Sequence, residues 1–124
     1  MLDASALMAV LNQEPGAEQL SASLLSEAVC STVNLAEVQS KLVGRGIRPD
    51  DAWLVALSPI HDSVPFDDEQ AKTAGSLVAQ TRSLGLSLGD RACLALALSL
   101  HAPVYTADRS WKSLKVGVRI HVIR

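Results

Sequence analysis

The stretch GLSLGDRACLALALSLHAPVYTADRSW (residues 85–111) decides the fold. Within it, GDRACLALALSLH (89–101) is apolar nearly all round a helical period, so the helix it forms must be largely buried. APVYTA (102–107), which follows, reads as a strand: short, apolar and bounded by a proline at its start. A buried helix that delivers the chain into a strand is the second half of a βαβ unit. Two carboxylates sit at the joints, Asp90 where the helix opens and Asp108 where the strand ends. Carboxylates at such places are either helix caps or part of a metal site, and the rest of the chain must supply the answer.

Outward from this stretch the same alternation recurs. AVCSTV (28–33) reads as a strand buried on both faces, SVPF (63–66) as a weak strand broken by Pro65, and VRIHVI (118–123) as a last strand. Helical patterns lie between them. PGAEQLSASLLSEA (15–28) reads as a helix that starts at Pro15, a residue suited to a first turn. NLAEVQSKLVGRG (34–46) puts Leu35, Val38 and Leu42 on one face and stops at Gly44 or Gly46. PDDAWLVALSP (49–59) is a helix between two prolines. DDEQAKTAGSLVAQTRSLG (67–85) carries Ala71, Ala74, Leu77, Val78 and Thr81 on one stripe and ends at Gly85. Strands separated by helices predict one α/β domain over residues 1–124, with a parallel sheet of about five strands in the manner of small doubly wound folds.

Composition narrows the function. Nearly half of the 124 residues are hydrophobic (48%), enough for a layered core in a short chain. The four aromatic residues, Trp53, Phe66, Tyr105 and Trp111, are too few for a stacking platform of the kind that holds single-stranded nucleic acid. The net charge is −2, so any contact with a nucleic acid must be local or assisted by bound cations. Lys41, Arg45 and Arg48 form one basic group, and most of the other basic residues lie between Arg82 and Arg124. Cys30 and Cys93 sit in apolar runs without CxxC spacing and read as buried thiols. No secretory leader opens the chain and no apolar run approaches a membrane span, so the expectation is a soluble cytoplasmic protein with no membrane partner.

In a doubly wound sheet, ligands bind outside the carboxyl ends of the strands. Four acids fall at that edge: Asp3 after the first strand, Glu37 in the first turn of the helix after AVCSTV, Asp90, and Asp108. Each has a plainer account. Asn34-x-x-Glu37 and Ser87-x-x-Asp90 resemble capping boxes, Asp3-x-Ser5 a turn, and Asp108 a cap for RSWKSL. Yet two carboxylates 4 Å apart repel by ~1 kcal/mol in water and ~4 kcal/mol at an effective dielectric of 20. Four at one edge call for a cation, and all-oxygen ligands suit Mg²⁺ or Mn²⁺ rather than zinc, since His61, His101 and His121 are scattered. Such an ion pairs with phosphate oxygens and supports hydrolysis of a phosphodiester.

These residues resemble a known family. LDASALMAVLNQEPG (2–16), STVNLAEVQSKL (31–42), GLSLGDRACLALAL (85–98) and PVYTADRSW (103–111) follow the pattern and order of PIN domains, most closely the VapC toxins of bacterial toxin–antitoxin pairs, over essentially the whole chain. The resemblance implies a three-layer α/β/α sandwich with a parallel sheet in the order 3-2-1-4-5. It also implies a Mg²⁺- or Mn²⁺-dependent endoribonuclease acting on RNA, a dimer, and a small antitoxin protein whose C-terminal segment inhibits the site. The family's four acids fall on Asp3, Glu37, Asp90 and Asp108, with Asp3, Asp90 and Asp108 as metal ligands and Glu37 as a ligand or base. Ser5 and Thr106 are candidates for hydrogen-bonding the carboxylates, Arg91 and Arg109 for meeting substrate phosphates, and Trp111 and Trp53 for packing rather than stacking on bases. One departure concerns the start: only Met1 and Leu2 precede Asp3, so either the first strand is very short or the true start lies upstream. The competing readings are a PIN nuclease of RNA processing and a non-catalytic partner-binding module. An aspartate-nucleophile phosphatase would want D-x-D where Ser5 stands, and a receiver domain would want paired acids near the first strand.

Overall fold

The computed structural model describes residues 1–124. The chain runs through α1 (Ala4–Asn12), a 3₁₀ turn (Ala17–Gln19), α2 (Ala22–Leu25), β1 (Val29–Ser31), α3 (Thr32–Gly44), α4 (Pro49–Leu57) and β2 (Asp62–Val64). It continues through α5 (Asp68–Ser76), α6 (Val78–Thr81), a 3₁₀ turn (Arg82–Leu84), α7 (Leu88–Leu100), β3 (Val104–Thr106), a 3₁₀ segment (Arg109–Ser113) and β4 (Ile120–Val122).

The strands are parallel, as the alternation of strands and helices predicts, but the five-stranded sheet is not formed as such. Four short strands make two separate pairs, β1 with β2 and β3 with β4. Residues 1–3 lie between the pairs and bond to both. The Leu2 amide donates to the Val29 carbonyl (3.0 Å), while the Tyr105 amide donates to Met1 (2.8 Å) and the Asp3 amide to Tyr105 (3.2 Å). Only a single bridge, Leu2 to Tyr105, results, because Asp3 already serves as the cap of α1 and leaves Met1 and Leu2 alone to pair. Along these bonds the order is β2, β1, residues 1–3, β3, β4.

Alternating residues feed two apolar cores on opposite faces of these strands. Leu2, Cys30 and Tyr105 turn toward a core built with α1, α3 and α4, where Leu7, Leu35, Val38 and Leu42 are buried. Met1, Val29, Val104 and Ile120 turn toward a second core made with α7 and Trp111. The expected burial of α7 is found: Ala92 through Ala97 are all buried. Trp111 is fully buried, so it packs rather than stacks on a base, and Trp53 is half-buried against the first core. Both cysteines are free and buried, and burial pushes the Cys30 thiol up to about 12 and the Cys93 thiol well above its usual value. No helix is long and apolar enough to cross a membrane.

Two helical expectations need correction. The helix from Pro15 does not form: Gly16 has φ +97° and lies under the Ile123 carbonyl, which a Cβ there would meet at 2.0 Å. After the 3₁₀ turn, α-helix begins only at Ala22, where Ser21 caps by accepting from the Leu24 amide. The helix over 67–85 breaks into α5, α6 and the 3₁₀ turn, and the Thr81 hydroxyl takes the Leu77 carbonyl (2.8 Å). Its inward stripe is Gln70, Ala74, Leu77 and Thr81, while Ala71 and Val78 are exposed.

Truncating the fully buried Trp111 to Ala removes the largest side chain of the second core. Unfolding in denaturant should show a loss of about 3–5 kcal/mol. A loss well under 1 kcal/mol would show that the ring does not hold this core.

Candidate active site

Asp3 is the most constrained acid. It ends the pairing segment and caps α1, its Oδ1 accepting from the Ala6 amide at 2.8 Å. Ser5, in the first turn of the helix, donates its hydroxyl to the same carboxylate at 2.8–2.9 Å, and Thr106 at the end of β3 donates to Oδ2 at 2.6 Å. These hydroxyls are themselves fixed by backbone. The Ala107 amide donates to Ser5 Oγ (2.9 Å) and the Asp108 amide to Thr106 Oγ1 (3.0 Å). Ser5 and Thr106 thus both hydrogen-bond the Asp3 carboxylate.

Asp3 is only 2% exposed. Burial pushes its pKa up to about 6 from an ordinary 3.8, more than its hydrogen bonds to Thr106, Ala6 and Ser5 pull it down, and the negative charge of Asp90 pushes the same way. Asp3 and Asp90 thus feel one another across the site.

Asp90 and Asp108 each cap a helical segment. Ser87 and Asp90 form a reciprocal capping box, with the Ser87 amide to Asp90 Oδ2 at 2.9 Å and the Asp90 amide to Ser87 Oγ at 3.1 Å. Asp108 Oδ1 accepts from the Ser110 amide at 2.9 Å. Capping occupies one oxygen of each carboxylate and leaves the other without a protein partner. Capping and ion binding therefore do not exclude each other here.

Glu37 departs from expectation. The cap of α3 is Ser31, whose Oγ accepts from the Val33 amide, not Asn34. Glu37 accordingly lies in the second turn, where it faces the start of α7. Its carboxylate rests against Gly89: a Cβ at that glycine would sit 2.5 Å from Glu37 Oε2. Asn34, fully buried, donates from Nδ2 to Glu37 Oε2 and to the Gly89 carbonyl, both at 3.0 Å. Neither Asn34 nor Gly89 is among the site residues expected from sequence. A glycine one residue into a helix, where alanine would be favoured, was the available signal.

The structure thus groups Asp3 with Ser5, Thr106 and the Asp108 amide, and Glu37 with Asn34 and Gly89, while Asp90 follows Gly89 in the chain and acts on Asp3 through its charge. They do not close into a ready cage. No group of three or more His, Cys, Asp or Glu side chains is close enough to hold an ion as placed. In donor chemistry Asp3, Glu37, Asp90, Asp108, Ser5 and Thr106 fit a hard divalent cation, being carboxylates and hydroxyls only, whereas His101 caps the far end of α7 and His121 stacks on Tyr105. Arg91 turns from the edge, its Nη1 bonding the Ala74 carbonyl (2.9 Å) and tying α7 to α5, while Arg109 is exposed next to Asp108. Beside Ser5 opens a cleft of about 280 Å³ lined by Asn12, Glu14, Lys41, Arg45 and Arg124.

A family profile described as "PIN domain" matches residues 1–116. The chain belongs to the PIN-domain family. Solved structures share the fold at low identity. VapBC from Salmonella typhimurium, bound to DNA, superposes with TM-score 0.74 and 19% identity over 100% of this chain and 97% of the other. VapBC2 from Rickettsia felis, bound to a DNA fragment from its promoter, gives TM-score 0.72 and 19% identity over 98% and 96%. VapBC-5 from Mycobacterium tuberculosis gives 0.61 and 23% over 99% and 95%. No curated protein matches the sequence.

The titration of Asp3 in this PIN domain carries a signed consequence. Because its folded pKa exceeds its unfolded one, the native state holds a proton that the unfolded chain has released. In the absence of divalent ions, stability is full below about 3.8 and is lost as pH rises through about 6, by ~3 kcal/mol in all. Asp3→Asn, which retains the cap acceptor, should flatten this dependence and raise the metal-free melting temperature at pH 8 by several degrees. A lower melting temperature at pH 8 would show that the ionised carboxylate stabilises the fold.

Proposed function

We propose that this PIN domain is a Mg²⁺- or Mn²⁺-dependent endoribonuclease and the toxin of a toxin–antitoxin pair. The observation that carries the reading is Asp3: a carboxylate almost wholly buried, gripped by two hydroxyls and destabilised in its charged form by Asp90. A fold holds an acid that way at a functional site more readily than for stability. When bound, a divalent ion would neutralise the carboxylates and polarise a phosphate oxygen.

The chain's own residues divide the remaining work. Asp3, Asp90 and Asp108 are the ligands, using in the last two cases the oxygens that capping leaves over. Ser5 and Thr106 orient Asp3, and Glu37 either joins the ligands or orients the attacking water as a base. The cleft beside Ser5 suits flanking phosphates of the RNA. Lys41 follows Glu37 on α3 by one four-residue step, about 6 Å of helix axis, on the same face, and Arg45 stands just past the end of that helix in the same cleft as Lys41. Arg109 is a further phosphate contact beside Asp108.

The toxin reading is favoured over RNA processing by the solved structures, which are toxin–antitoxin complexes covered at nearly full length. The partner would be a small antitoxin, and the functional unit a cytoplasmic homodimer. Exposed Val43, Leu54 and Val55 on the packed pair α3 and α4 supply apolar surface for such contacts.

Purified protein should cut single-stranded RNA with Mn²⁺ or Mg²⁺ and stop on addition of EDTA. Asp90→Asn and Glu37→Gln should each reduce cleavage at least 100-fold, roughly the scale of losing a key charge-stabilising group. Cutting at the wild-type rate by a folded Asp90→Asn protein would remove Asp90 from the site.

Salt dependence checks the cleft. With cleavage blocked by EDTA, the log of RNA affinity against log salt should lose about 0.7 of slope per phosphate contact removed, or about 1.4 for Lys41→Gln with Arg45→Gln. An unchanged slope would place the strand elsewhere.

A further inference from the structure

We propose that Asn34 and Gly89 form a two-part lock that positions the Glu37 carboxylate at the start of α7 beside Asp90, so that the divalent-ion affinity of the site depends on both residues. The inference rests on the reading of Glu37 as an acid of the site. Neither residue is a catalytic residue; both act through Glu37.

Three observations meet at this point. First, Asn34 is 1% exposed and its Nδ2 stands 3.0 Å from Glu37 Oε2 and 3.0 Å from the Gly89 carbonyl. Both partners are acceptors, so only a group with two N–H bonds at one atom satisfies them together, and a carboxylate or hydroxyl in its place does not. The amide orientation is thereby forced.

Second, Asn34 Oδ1 is buried with no partner. A buried acceptor left unpaired is costly, and a side chain chosen for packing alone would avoid it. The residue is kept for what its nitrogen does.

Third, Gly89 occupies a helical position at φ below zero, where no left-handed backbone explains a glycine. What explains it is space: a Cβ would meet the Glu37 carboxylate at 2.5–2.6 Å. The missing methyl lets the acid lie flat on the backbone of α7, one residue from Asp90, while Asn34 holds it from the α3 side. The lock therefore joins the helix that carries Glu37 to the helix that carries Asp90, and it fixes the distance between the two acids without touching either ion or RNA.

The test is Mn²⁺ binding by calorimetry on the folded, full-length chain, with the metal alone as probe. Gly89→Ala should lower Mn²⁺ affinity roughly 10–100-fold, the range seen when partners that orient metal ligands are removed. Its melting temperature without metal should hold or rise, because alanine is the better helix residue. Asn34→Leu should lower affinity over the same range, and where it folds poorly Gly89→Ala alone decides. Against a Glu37→Ala background, either substitution should change Mn²⁺ affinity by less than about twofold, since a residue that acts through Glu37 has nothing left to position. Unchanged affinity in Gly89→Ala, or equal losses with and without Glu37, would overturn the lock while leaving the site acids standing. No loss on Glu37→Ala, or no Mn²⁺ binding by the wild type, would remove both the lock and the place of Glu37 in the site.

Discussion

The structure depends on one buried carboxylate. Asp3 starts α1 by capping it, accepts the Thr106 hydroxyl at the end of β3, and its amide bonds Tyr105, so a single residue links the N-terminal segment, the first helix and the second strand pair. Around it the chain has arranged apolar cores on both faces of the strands, which exclude water and make the charge expensive. The hydroxyl and amide donors offset only part of that expense, as the upward shift of its pKa shows. The strain is local, chemical and reversible: it would be relieved by a proton or by a cation, and by little else.

The two subgroups of acids are assembled by different forces. Asp3 and Asp108 are tied through backbone amides and the hydroxyls of Ser5 and Thr106, a network in which each donor is already committed. Glu37 is set against the start of α7, the helix that carries Asp90, by the packing of α3 on α7, and Gly89 leaves room there that a Cβ would take up. Capping, the plainer account of Asp90 and Asp108, is correct as far as it goes. It occupies one oxygen apiece and leaves the other without a protein partner, so capping is compatible with the proposed site.

Much of this was legible in residue order because it is local. The capping box at Ser87 and Asp90, the all-round apolar α7, the inward face Leu35, Val38 and Leu42, and the parallel pairing of strands follow from periodicity and turn chemistry. What stayed hidden depends on contacts distant in sequence. Asn34 stands three residues before Glu37 in the pattern of a cap, yet Ser31 takes that place and frees Asn34 to reach the Gly89 carbonyl. Pro15 looked like a helix start until the last strand, more than a hundred residues on, laid Ile123 across Gly16. The sheet was overcounted because pairing is a property of two segments, and residues 1–3 have length for a bridge but not for a ladder.

The two cysteines, Cys30 on β1 and Cys93 on α7, are uncharged and shut away from solvent, with no role in the chemistry proposed above. Only a thiolate reacts readily with alkylating reagents, and at neutral pH neither sulfur supplies one while the cores are closed. Their modification therefore times the opening of each core separately: Cys30 reports on the layer under α1 and α3, Cys93 on the layer under α7. The molecule carries its own pair of clocks for asking which half loosens first when the acids are left without a cation.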